Sequence, residues 1–169
     1  MTRLIAVLVL GLAACAPSGA AHEETSFSAT ARALDGDTMA VDFRLFGVDA
    51  FERGQLCERA GSCWQCGKAA QDLASRMLRD ADAEIQLSTR SSYGRPVATV
   101  TVNGHDLGET MIRAGLAIPQ LHFLKSNHAR AARYSQALTE AQQSKTGAFA
   151  GRWIEPAQWR RGGRLSCER

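Results

Sequence analysis

The stretch Asp35-Gly36-Asp37-Thr38-Met39-Ala40-Val41-Asp42-Phe43-Arg44-Leu45-Phe46-Gly47-Val48-Asp49-Ala50-Phe51-Glu52 sets how the rest of the chain is read. Asp35-Gly36-Asp37 is a turn signal, because Asp side chains bond their own backbone and Gly accepts tight geometry. Residues 38–41 and 43–48 on either side of Asp42 have the composition of short strands. Upstream, residues 26–34 alternate, with Phe27, Ala29, Ala31 and Ala33 on one face, which predicts another strand. Downstream, residues 52–64 read as a cysteine-bearing loop. Cys66, Ala69, Ala70, Leu73, Ala74, Met77 and Leu78 then recur at helical spacing. Alternation returns over 84–89 and 96–102, ending at the turn pair Asn103-Gly104. Asp106 is placed to cap a short helix carrying Leu107, Met111 and Ile112, with Gly115 ending it. A last helix is predicted from about Asn127 to Lys145, closed by Gly147. Three strands, a helix, two strands and two helices predict a β-rich α+β fold: a five-stranded OB-fold Greek-key barrel with three packed helices.

The same stretch carries the candidate chemistry. Asp37 starts one expected strand and Asp49 ends the next, so a tight antiparallel connection would set them side by side. Paired carboxylates beside backbone carbonyls suit a hard cation such as Ca²⁺. Glu52, three residues on, can face the same opening. Arg44 lies on the strand leading to Asp49, and Arg95 follows Tyr93-Gly94 on another strand. Phosphodiesters need this combination: planar double donors for the oxygens, a cation for developing charge and a base for water. An isolated Asp-Gly-Asp is ordinarily just a turn and a lone Arg a solvated side chain, so the inference rests on joint occurrence.

Asp35-Gly36-Asp37-Thr38, the Arg44-Leu45 to Glu52 segment and Tyr93-Gly94-Arg95 together resemble the signature of the thermonuclease (staphylococcal nuclease-like) family, over roughly residues 26–159. The resemblance implies Asp37, Asp49 and the Ala50 carbonyl as Ca²⁺ ligands, with Asp35 supporting the ion indirectly. It implies Glu52 as the general base and Arg44 and Arg95 as phosphate clamps. Tyr93 and Phe123 fall at nucleotide-contacting positions. The implied activity is Ca²⁺-dependent hydrolysis of DNA or RNA, leaving 3′-phosphates. Phe51 stands where the family has proline, the Asp37–Arg44 connection is shorter, Ser92 replaces a basic residue, and Leu121 and Phe123 replace two tyrosines. The alternative is a nucleic-acid-binding module of the same fold without activity. A third possibility, a disulfide-stapled scaffold, predicts that the five charged side chains do not converge.

The net charge of +3 over 169 residues excludes a broad basic field for gripping duplex DNA. Met1-Thr2-Arg3 and an apolar run from Leu4 to Leu12 are too short for a membrane span. Leu12-Ala13-Ala14-Cys15 resembles a bacterial lipobox, so residues 1–14 are expected to be a lipoprotein signal peptide and Cys15 the lipidated residue. An ordinary signal cut near Ser18-Gly19-Ala20 is the alternative, and either exports the chain. Residues 15–24 then form a flexible tether, 25–160 the nuclease-like domain and 161–169 a basic, disulfide-tethered tail. Ala16 after Cys15 points to the outer membrane, facing the periplasm. A monomer is expected.

Beyond Cys15, Cys57, Cys63, Cys66 and Cys167 allow three disulfide pairings. Cys57–Cys66 with Cys63–Cys167 is preferred, as it staples a loop and ties down the tail. A redox Cys63-Trp64-Gln65-Cys66 or a four-cysteine zinc site is less compatible with the pattern. His105, His122 and His128 lack ligand spacing. Trp153 and Trp159 are expected to pack on the barrel. Arg160, Arg161 and Arg164 either attract phosphate or form a solvated tail.

Overall fold

The computed structural model describes residues 26–168. Signal peptide, Cys15 and tether therefore lie outside the described residues. Along the chain run β1 (Ala31–Ala33), β2 (Met39–Val41), β3 (Arg44–Leu45), β4 (Val48–Ala50), β5 (Cys57–Arg59), β6 (Ser62–Trp64) and α1 (Cys66–Leu78). Next come β7 (Ala83–Ser92), β8 (Arg95–Val102), β9 (His105–Asp106), α2 (Leu107–Arg113), β10 (Ala117–Pro119), α3 (His128–Gln143) and α4 (Pro156–Arg160).

The helices expected from apolar spacing form and turn most of the indicated residues inward, although Leu78 at the end of α1 is exposed. Ala70 of α1, Leu107, Met111 and Ile112 of α2, and Tyr134 and Ala137 of α3 pack with Val100 and Val102 of β8. Asp106 caps α2, accepting from the Glu109 backbone N–H at 3.0 Å and from the Tyr134 hydroxyl at 2.9 Å. That single carboxylate joins α2 to α3. Burial and the adjacent Asp106 charge push the Tyr134 phenol well above its ordinary value, so it remains a donor.

The strands differ from expectation in three places. The alternating stretch 26–34 yields only β1, whose three residues are exposed among the described residues. Segment 43–48 is not one strand: Gly47, at φ +71°, breaks it. On one side β3 runs parallel to β8, with Arg44 opposite Val97; on the other β4 runs antiparallel to β10, with Asp49 opposite Ile118. Within the expected loop 52–64, β5 and β6 form a hairpin. The described strands fall into β1-β2, β10-β4, β5-β6 and a β3-β8-β7 sheet carrying β9, with no closed barrel among them.

Disulfides join Cys57 to Cys66 and Cys63 to Cys167. The first lies in a small second core with Phe51 and Ala148, against Trp153. This core sits directly beneath the loop that carries Glu52.

Candidate active site

Three local devices assemble the site. Gly47 redirects the chain so that β3 and β4 can take different partners, which leaves Arg44 and Asp49 on opposite sides of one bend. Tyr93 and Gly94, at φ +52° and +73°, make the two-residue hairpin turn from which β8 starts at Arg95. Phe51, only 3% exposed, plugs into the second core with its ring edge-on to Trp153 at 5.8 Å. That aromatic anchor, in place of proline rigidity, fixes the exit of β4 and hence where Glu52 begins.

The Glu52 loop is held by Gln55, whose side chain is completely buried. Its amide oxygen accepts from the Glu52 N–H at 3.1 Å and its amide nitrogen donates to the Ile154 carbonyl at 2.8 Å. The Gln55 N–H donates to the Glu52 carbonyl at 2.7 Å, closing a tight turn. Gly67 makes room for that turn, because a Cβ there would strike the Glu52 carbonyl.

These elements line a cleft of about 580 Å³, within the usual range for ligand sites. Arg44, Asp49, Ala50, Phe51, Glu52, Arg95 and Phe123 all face it, together with Arg53, Arg90 and Arg160. Five guanidiniums thus meet two carboxylates. Their proximity registers on Arg44, whose ionisation is pushed down first by burial, then by repulsion from Arg95 and Arg160. Asp49 and Glu52 act on it in the opposite direction. Arg44 also lies 5.4 Å from the centre of the Tyr93 ring, which is 92% exposed and does not itself line the cleft.

Asp35 and Asp37 do not join this group. They occupy the β1–β2 turn, where the Asp35 carboxylate accepts from the backbone N–H groups of Asp37 at 3.2 Å and Thr38 at 2.8 Å. The bond from the Asp37 N–H, and then the Thr38 side chain, hold Asp35 below its ordinary value. β2 pairs with β1 and β4 with β10, so no shared ladder sets Asp37 beside Asp49 as expected, and Asp37 does not line the cleft.

Arg160 takes the other place beside Asp49. Its Nη1 donates to Asp49 Oδ1 at 2.9 Å and to Glu52 Oε1 at 2.6 Å, and its Nη2 donates to Asp49 Oδ2 at 3.0 Å. The Asp49 bond above all, with help from Glu52, raises the Arg160 ionisation further above its ordinary value. The acids pair with Arg160, which leaves Arg44 and Arg95 without an ion pair among the described residues. Sequence reasoning missed Gln55 altogether and left Arg160 between two roles. Neither belongs to a periodic pattern, and Arg160 lies more than a hundred positions from its partners.

With Arg160 seated on Asp49 and Glu52, a Ca²⁺ ion at these acids would have to compete with a guanidinium. Among the described residues no group of three or more His, Cys, Asp or Glu could hold a metal ion. Asp49 has both oxygens on a guanidinium, whereas Ca²⁺ takes six to eight oxygens.

A family model described as staphylococcal nuclease homologue matches residues 42–150, more than half of the chain. The match takes in Arg44, Asp49, Glu52 and Arg95, and leaves out Asp37 on one side and Arg160 on the other. The domain of that family is an OB-fold. A search of the curated proteins found no match.

Proposed function

Because the chain belongs to the staphylococcal nuclease homologue family, we propose that its cleft hydrolyses phosphodiester bonds of single-stranded DNA or RNA. The observation that carries this is the convergence of Arg44, Arg95 and Glu52 on one cleft. Two guanidiniums without ion pairs among the described residues can fork onto the non-bridging oxygens of a phosphate and stabilise the charge of the pentacovalent transition state. Glu52 accepts the proton of the attacking water. The water oxygen bonds to phosphorus as the bond to the departing sugar oxygen breaks, and that oxygen leaves with a proton from solvent. Tyr93 and Phe123, exposed at 92% and 47%, offer faces on which bases can stack.

Ca²⁺ dependence is general in the family. In this chain it requires Arg160 to release the acids, and no step above runs through a metal. Export belongs to the same proposal. Two disulfides suit an oxidising compartment, consistent with a domain over 25–160 that acts as a monomer in the cell envelope. There Cys15 would carry the lipid anchor in the outer membrane, on the periplasmic side.

The test uses the purified mature protein, a labelled single-stranded oligonucleotide and Ca²⁺. Cleavage is expected, slowed by about 10²–10⁴-fold in Glu52→Gln, the usual contribution of a positioned base. Binding without cleavage by the unaltered protein would instead identify a nucleic-acid-binding module.

A further inference from the structure

We infer that Arg160 is a built-in cation for the site. Its guanidinium neutralises the Asp49–Glu52 pair, and a divalent metal ion binds there only by displacing it. The metal-ion part rests on the proposed function; the guanidinium contact stands without it.

Three bonds of 2.6–3.0 Å bring one planar group onto two carboxylates. Two of them form the parallel fork to Asp49 that distinguishes a bidentate pair from an incidental surface contact. Any metal ion using Asp49 as a ligand needs the same oxygens. The two cations therefore compete for that carboxylate, and the gain for one comes at the expense of the other. Displacement has a way out, since the Arg160 side chain is 41% exposed while Asp49 is 16% exposed.

The delivery of Arg160 is also specific. It is the last residue of α4, a helix opened by Pro156. On one flank the Ile154 carbonyl is held by Gln55, which also holds Glu52. On the other, Arg164 lies over the Trp159 ring at 4.3 Å and donates to the Trp159 carbonyl at 2.9 Å. Beyond it Cys167 is bonded to Cys63. The segment is fixed to the site loop before Arg160 and to the body of the protein after it. A side chain merely trailing in solvent has neither attachment.

Calorimetric titration of Ca²⁺ into the disulfide-intact protein, without nucleic acid, tests this apart from any activity. Arg160→Gln is expected to bind Ca²⁺ at least about tenfold more tightly than the unaltered protein, because the competitor is gone. Arg160→Lys, which keeps the charge but loses the fork, should shift affinity in the same direction by less, and stands in should the glutamine variant not fold. Equal or weaker Ca²⁺ binding, or none, in the folded variant overturns the inference. Failure of the nuclease proposal shows separately, as absence of oligonucleotide cleavage in all forms while the Ca²⁺ titrations still report the competition.

Discussion

Gln55 shows how much of the site depends on one uncharged side chain. It is buried with no apolar role, and its amide serves Glu52 on one side and Ile154 on the other. Replacing it by leucine keeps the volume but strands a backbone N–H and a carbonyl. Each orphaned group costs about 1–3 kcal/mol, so urea unfolding of Gln55→Leu should show a loss of about 2–4 kcal/mol. Such residues are invisible to pattern reading, because a glutamine between Gly54 and Leu56 follows no period. Arg44, Asp49, Glu52 and Arg95 were legible for the opposite reason: they sit inside short local signatures whose spacing is itself the signal. Asp37 shares such a signature yet falls outside the cleft, because its placement depends on strand pairing. Pairing between distant segments is not written in local sequence.

At the scale of elements, periodicity was reliable wherever one face had something to bury. The stripes of α1 and α2 and the alternation of β8 end in the same core. The stretch 26–34 alternates equally well and gives a three-residue strand that no described residue buries. Alternation is a statement about burial, and where burial is missing the strand shrinks. The hairpin β5-β6 was missed because its strands are only three residues each and show no run of alternation; its first residue, Cys57, is bonded to Cys66 at the start of α1. Close approach of α1 to the Glu52 loop rests on Gly67, whose missing Cβ admits the Glu52 carbonyl. Gly67→Ala should therefore destabilise by about 1–3 kcal/mol, the ordinary range for overpacking. It should also shift the Glu52 loop, seen as altered amide shifts at Glu52 and Gln55 in a nitrogen–proton correlation spectrum.

For the whole molecule, the segment beyond the family match at residue 150 is part of the working structure. It supplies Ile154 to Gln55, Trp153 to Phe51 and Arg160 to the acids. The bond between Cys63 and Cys167 spans a sequence separation of 104, and closing so long a loop removes much freedom from the unfolded chain. The double variant Cys63→Ser/Cys167→Ser should lose about 2–5 kcal/mol of stability, measured as a lower urea midpoint. The Cys57–Cys66 pair closes only nine positions, so its chain-entropy contribution is smaller.

That long covalent ring has a topological consequence. Arg90, Arg95 and Arg160 all lie inside the circuit from 63 to 167, whereas Arg44, Asp49 and Glu52 lie outside it. A single peptide-bond cut by a protease anywhere between 63 and 167 would open the circuit without parting its two ends. Acids and guanidiniums would stay on one covalent body, so a nicked molecule could keep its charge partners as long as that sulfur bridge stays oxidised.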